Sequence, residues 1–317
     1  MTLSLDESLH ADLEAMTKAG TLKSFRHITS PMDTEVTMAE RKGRILVLSS
    51  NNYLGLADHP EVVAAAKKAL DEYGAGTASV RFICGTFEIH KEIENTLARL
   101  SRTHAALTYV SCWAANTGLI PAVAGEQDAI VSDALNHASL IDGCRAAKAK
   151  RLVYKHSDMG ELRDRLAEVK DARRIFIVTD GVFSMEGDVA KLPDIVTLAR
   201  RYNASVILDD SHGVGVMGKH GRGTCEYHGV EGQVTIVTGT LGKALGGAAG
   251  GYVAGSTALI GYLSQVSRPQ IFSNALPTSI AASAKKAIEI LEREPQRVER
   301  LHTLAKMMRD GLKARGF

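Results

Sequence analysis

Cysteine is scarce in this chain: four occur in 317 residues, at positions 84, 112, 144 and 225. No two form a C-x-x-C pair, which argues against zinc and redox motifs. Free thiols fit a reducing compartment. Long apolar runs are missing as well. None approaches the roughly 20 residues needed to cross a bilayer. The N-terminus has neither a signal-peptide h-region nor an Arg-rich transit pattern, so a cytoplasmic protein is expected. An excess of one charge is also lacking, since the net charge of +2 is too slight to argue for nucleic acid or membrane as a partner. No repeat or low-complexity tract occurs, and Trp113 is the only tryptophan.

What is present is ordinary globular composition, 45% hydrophobic and 23% charged. The length suits one large α/β domain with a small appendage. Apolar runs predict short strands at 44–48, 105–110, 129–131, 151–154, 175–178, 206–208 and 234–237. Helical periodicity separates them. It begins with a capping box at Ser4-Leu-Asp-Glu7 and continues with a helix capped by Asp58 with Pro60 in its first turn. Further helices are read at 88–100, 189–202 and from Thr278 until Pro295, with a last one striped by Val298, Leu301, Ala305, Met308 and Leu312. Such alternation predicts a mostly parallel sheet covered on both faces.

The rest of the chain is organised around Val237-Thr-Gly-Thr-Leu-Gly-Lys-Ala-Leu-Gly-Gly247. Lys243 lies between apolar residues. Desolvation would lower its pKa and make the amine a usable nucleophile. Alone, it reads equally as a surface lysine on a glycine-rich turn. The second stretch, Ser205-Val-Ile-Leu-Asp-Asp-Ser-His-Gly213, decides between them. Its strand delivers Asp209 and His212 at its carboxyl end, where ligands bind in open α/β sheets. A lysine with an aspartate partner for a ring nitrogen is the minimum equipment of a pyridoxal-phosphate (PLP) enzyme. Two other motifs fail. Gly213 to Gly218 fits G-x-G-x-x-G, but the glycines that follow preclude the helix it should open. Gly242-Lys243 lacks the P-loop's Ser or Thr and its earlier glycine. Ser111, Cys112 and Trp113 end a strand and begin a helix, and free N–H groups there suit a phosphate.

Several segments together resemble the α-oxoamine synthases, a branch of the fold-type-I PLP-dependent transferases. They are Ser50-Asn-Asn-Tyr-Leu-Gly-Leu56, Ala78-Ser-Val-Arg-Phe-Ile-Cys-Gly-Thr86, Ser132-Asp-Ala-Leu-Asn-His-Ala-Ser-Leu-Ile-Asp-Gly143, Thr179-Asp-Gly-Val-Phe-Ser-Met-Glu-Gly-Asp188, Asp209 to His212, Thr238 to Gly247 and Ser267-Arg-Pro-Gln-Ile-Phe-Ser-Asn274. The resemblance implies an α/β fold with a mostly parallel sheet sandwiched by helices. It implies PLP carried by Lys243, with Asp209 at the ring nitrogen, His212 near the ring hydroxyl and His137 stacked on the ring. Ser111, Cys112, Trp113 and Thr240 would contact the cofactor. Ser184 would meet the cofactor oxygen or the substrate carboxylate, and Asn51 would face the substrate.

The resemblance further implies a homodimer with the active site at the subunit interface. Ser273 and Asn274 would then reach the partner's cofactor phosphate. Arg81 reads as a solvated charge or as part of a loop completing the neighbouring site. The N-terminal helix would lie across a partner or on its own domain. The implied reaction condenses glycine with acetyl-CoA. Its rivals are a decarboxylating condensation of alanine with a longer acyl thioester, and a non-catalytic subunit. The expected division is an N-terminal arm and start of a small domain at 1–48, a large PLP-binding domain at 49–280, and an incomplete C-terminal small domain at 281–317. Relatives continue past this point and carry there an arginine for the substrate carboxylate. The chain therefore reads as a fragment or truncated gene, expected to keep cofactor binding better than turnover.

Overall fold

The computed structural model describes residues 4–317. They fall into two units, one ending at Ser49 and one spanning Ser50–Phe317. In the first, Ser4 and Glu7 close the capping box at the start of the helix Leu5–Lys18. That helix buries no residue, and its stripe of Leu5, Leu9, Leu13 and Met16 is exposed. An antiparallel ribbon follows, made of β1 (Glu35–Met38) and β2 (Arg41–Leu46). β2 starts earlier than the expected strand at 44–48, because Arg41 and Arg44 pair across to the unforeseen β1 rather than pack inward.

The second unit is built on a seven-stranded sheet. Its strands are β3 (Ala105–Tyr109), β4 (Ala129–Asp133), β5 (Lys150–Tyr154), β6 (Ile175–Asp180), β7 (Ala204–Asp209), β8 (Ile236–Thr240) and β9 (Gly251–Gly255), in the spatial order β3-β9-β8-β7-β6-β4-β5. The neighbours from β8 to β5 run parallel, whereas β9 is antiparallel to both β3 and β8. The fold is therefore α/β with a mostly parallel sheet, as expected. The run feeding β9 is rich in glycine, which hides it from a pattern of alternating apolar residues.

Both faces of the sheet are buried, and successive strand residues serve opposite faces. Val206 and Leu208 pack with Leu162, Leu166 and Ile195 on one side. Ile207 packs with Leu119, Ile120 and Leu140 on the other. A third cluster joins the helices Pro60–Tyr73, Glu88–Leu100 and Thr278–Arg293 around Ile93, Leu97 and Ile288. The first of these helices is capped by His59, whose ring accepts from Glu61 N–H, and not by Asp58. After Pro295 a separate helix, Gln296–Lys313, buries only Val298 of its apolar stripe.

The topology places three acids in one row. β4, β6 and β7 are neighbouring parallel strands and end at Asp133, Asp180 and Asp209. Asp180 and Asp209 stand directly opposite in the register. Among the described residues no helix is long and apolar enough to cross a membrane.

Candidate active site

A cavity of about 220 Å³ opens over the carboxyl ends of β7 and β8. Lys243 enters it from the turn after β8, and Asp209 and His212 enter from the end of β7. Ser111, Cys112 and Trp113 bound it at the N-terminus of the helix Cys112–Val123. That helix start lies against β9. A Cβ on Gly251 would sit 2.3 Å from Cys112 N, so only glycine lets the two backbones approach this closely. Ser111 Oγ accepts from Ala114 N–H at 3.0 Å. The first-turn N–H groups of Cys112 and Trp113 have no intrahelical acceptor and present positive potential to the cavity.

Asp209 is buried, 3% exposed, yet well supplied with donors. Its Oδ1 accepts from Ser211 N–H at 2.9 Å and its Oδ2 from Asn116 Nδ2 at 2.6 Å. The Cys112 thiol lies 3.6 Å from Oδ2. Burial, then the Asp209 charge, push that thiol's pKa well up, which makes Cys112 a packing group and not a nucleophile. Burial, then the same charge, also raise Asp180, whose Oδ2 accepts from His137 N–H at 2.6 Å.

Lys243 Nζ lies 2.8 Å from His212 Nε2. Burial lowers the lysine's pKa, and Asp209 opposes that shift. Burial, then the nearby Lys243 charge, drive His212 down to about 4, so its ring is neutral near pH 7. Nε2 accepts from the lysine. Nδ1–H is then left to donate to the Tyr53 hydroxyl at 2.8 Å, and Tyr53 donates to Asn51 Oδ1 at 3.1 Å. One polar chain thus runs from Lys243 out to Asn51.

His137 caps the helix Ala138–Ala146 and meets the edge of the Trp113 ring, with centroids 6.1 Å apart. Thr240 Oγ1 accepts from Gly242 N–H at 3.1 Å and so shapes the turn that carries Lys243. The cavity therefore gathers Lys243, His137, Asp209, His212, Ser111, Cys112, Trp113 and Thr240. Ser184 is exposed and lines an adjoining cavity of about 330 Å³, which shares His212 as a wall. Ser273 and Asn274 line neither cavity. They follow the short helix Arg268–Phe272, and their neighbour Ala275 is tied to the 77–86 loop through Thr77 and Ser79.

Arg81 on that loop is not solvated. It is partly buried and paired with the buried Glu94, which also accepts from Thr108 N–H and Oγ. A partner thirteen residues away on another element leaves no trace in local sequence pattern. Three residues received no role from the sequence: Ser139 and Asp180, which line the cavity, and Asn116, which stands behind Asp209. Asn116 alone had a usable signal, since it lies four residues after Cys112 on the same helix face.

The profile of the aminotransferase class I and II family matches residues 44–317. Among curated proteins, 2-amino-3-ketobutyrate coenzyme A ligase of Escherichia coli K12 is 48% identical over 98% of this chain and 78% of its own length. An 8-amino-7-oxononanoate synthase of Thermosipho melanesiensis is 46% identical over 98% of this chain and 79% of its own. Among solved structures, serine palmitoyltransferase of Sphingomonas wittichii superposes with a TM-score of 0.92 at 33% identity, covering 100% of this chain and 79% of that one. The S. paucimobilis serine palmitoyltransferase, solved with PLP and myriocin bound, gives a TM-score of 0.90 at 33% identity over 98% of this chain and 80% of that one.

Proposed function

The chain belongs to the aminotransferase class I and II family, in its α-oxoamine synthase branch, and from that premise we propose that it is a PLP-dependent acyltransferase condensing glycine with acetyl-CoA to 2-amino-3-oxobutanoate and free CoA. The observation that carries this reading is the shared cavity, which puts a lysine of lowered basicity, a buried aspartate and a helix N-terminus around one space. That donor set fits PLP pole by pole: an amine for the aldehyde, a carboxylate for the ring nitrogen and backbone N–H groups for the phosphate. Bound there, the cofactor supplies an electron sink for negative charge developing at the α-carbon.

The chain's own residues supply the rest. Asp209, held by two N–H donors, would face the ring nitrogen and favour its protonated form through a charge-assisted hydrogen bond. Lys243 Nζ would hold the cofactor, and its amine is placed to take the α-proton of glycine. Burial lowers its pKa, the direction that favours a basic, unprotonated amine. His212 receives a hydrogen bond from the resting lysine and passes the contact to Tyr53 and Asn51. His137 and Trp113 line one side of the space. Ser184 and Asn51 orient the amino acid carboxylate. We also place the enzyme in the cytoplasm as a homodimer, with Ser273 and Asn274 serving the partner's site.

The relative from Thermosipho melanesiensis gives a second reading, in which alanine and a longer acyl thioester condense with loss of CO₂. Release of CoA thiol separates the two. Glycine with acetyl-CoA should liberate thiol without CO₂. Thiol release with alanine and pimeloyl thioester but not with glycine would transfer the assignment to the second reading. No release with either pair, from protein that has taken up PLP, would leave the non-catalytic subunit.

A further inference from the structure

Asn116, one of the two donors that hold Asp209, stands behind the cavity wall and has no exposure at all. Its two amide protons go in two directions. One is donated to Asp209 Oδ2 at 2.6 Å and the other to Ser139 Oγ at 2.9 Å. Ser139 Oγ in turn lies 2.8 Å from His137 Nδ1, and Ser139 N–H points at the same nitrogen from 3.2 Å. A backbone N–H can only donate, so Nδ1 is an acceptor and the proton of the neutral ring sits on Nε2. The Ser139 hydroxyl therefore donates to His137 and accepts from Asn116. A single directed path joins His137 to Asp209.

The other end of the amide shows that this orientation is enforced. Asn116 Oδ1 is buried and has no hydrogen-bond partner. Reversing the amide would set this oxygen against the Asp209 carboxylate oxygen, a repulsive contact, and would draw the Ser139 hydroxyl away from His137. Gly143 supports the same arrangement. A Cβ there would lie 2.9 Å from Asn116 O and 3.0 Å from Ile120 Cδ1, so a bare backbone at 143 lets the helix carrying Ser139 come within reach.

We propose that Asn116 is a positioning residue that couples the two groups gripping the cofactor ring, fixing the Asp209 carboxylate with one amide proton and, with the other, aiming the Ser139 hydroxyl at His137 Nδ1. This rests on the PLP reading above and extends it to residues that never touch the cofactor. It predicts that Asn116 and Ser139 act as one unit.

The test compares wild type, Asn116→Ala, Asn116→Ser and Ser139→Ala as holoenzymes and without cofactor. With PLP bound, visible circular dichroism and the pH titration of the cofactor band report the ring's surroundings. In Asn116→Ala the titration midpoint should move by about one pH unit, since the carboxylate loses a donor to its charged form. Without PLP, ¹⁵N imidazole NMR of His137 should show the Nε2–H tautomer throughout, because the Ser139 N–H remains, with the Nδ1 resonance shifted in both Asn116→Ala and Ser139→Ala as the hydroxyl's hydrogen bond is weakened or lost. Adding Ser139→Ala to Asn116→Ala should move that resonance little further than Ser139→Ala alone. If the Ala variant fails to fold, Asn116→Ser carries the same comparisons. An unchanged titration midpoint or an unchanged His137 Nδ1 resonance in a folded variant overturns the proposal and leaves Asn116 a packing residue. Wild type that binds no PLP at all overturns the parent reading instead, and that is seen before any variant is compared.

Discussion

Lys243 and His212 share a hydrogen bond of 2.8 Å although both are basic. The contact is possible because burial drives both pKa values down, so the imidazole is present as a neutral acceptor. The pair thus sets a neutral imidazole against the lysine beside a buried carboxylate.

Removing the amine should therefore abolish chemistry while leaving the cavity. Lys243→Ala should lose the yellow colour of covalently held PLP and show thiol release lowered by about 10³-fold or more. Trp113, the sole tryptophan, lies at the cavity wall, so its emission should still be quenched when free PLP enters the variant. Normal turnover in the variant would show that another base serves.

The depressed His212 pKa has a consequence for stability. The unfolded ring titrates near 6.5 and the folded one near 4, so between these values the unfolded state binds more protons. The His212 contribution is complete above pH 6.5 and is lost as pH falls toward 4. Thermal unfolding of the cofactor-free protein should show a falling midpoint through this window, and His212→Gln should flatten the slope. An identical slope in the variant would assign the acid sensitivity elsewhere.

His156 should behave with the opposite sign. Its ring bridges Asp133, at 2.9 Å, and Asp188, at 2.7 Å. Burial pulls its pKa down, but the hydrogen bonds and charges of the two acids together outweigh this and raise it. Its contribution is thus full below pH 6.5 and fades as pH rises through the raised value. Asp188 belongs to the segment that carries Ser184, so exchange protection across 182–190, corrected for the intrinsic rate, should fall with alkalinity. His156→Gln should remove that fall in protection and cost about 2 kcal/mol in denaturant unfolding, because Asp133 loses a charged partner. A variant with unaltered exchange in 182–190 would separate the histidine from this loop.

Asp210 occupies a space made by glycines. Its carboxylate accepts from Thr224 N–H and Oγ, both at 2.8 Å, and burial raises its pKa to about 7. Gly223 sits at φ +98°, and a Cβ there would fall 1.8 Å from Asp210 Oδ2. Gly223→Ala should cost at least ~3 kcal/mol through strained backbone and steric overlap combined. A denaturation midpoint within error of wild type would mean that the 211–223 loop can rearrange freely.

The pairing of Lys243 with Asp209 was legible because both stand at strand ends beside glycine and short apolar runs, where pattern and chemistry coincide. The sheet's central parallel strands were legible for the same reason: burial on both faces leaves unbroken runs such as Ile175 to Val178. β9 was not, since glycines at both of its ends imitate a loop. Asn116 could not be given a role without knowing that the helix bearing Ser139 packs against its own. Arg81 and Glu94 likewise become partners only once the short helix Arg81–Cys84 has folded back on Glu88–Leu100.

β3 is hydrogen-bonded to β9, so residues 105–109 meet their strand partner only when residues 251–255 arrive. During synthesis the nascent chain must carry an unpaired edge while the parallel strands form beside it, a slow closure of the kind that exposes a polypeptide to aggregation. The anion-attracting helix start at Cys112 is seated against Gly251 by that same closure. The vitamin site is therefore incomplete until β9 has joined the sheet, and a folding intermediate without β9 would lack the helix start meant for the phosphate.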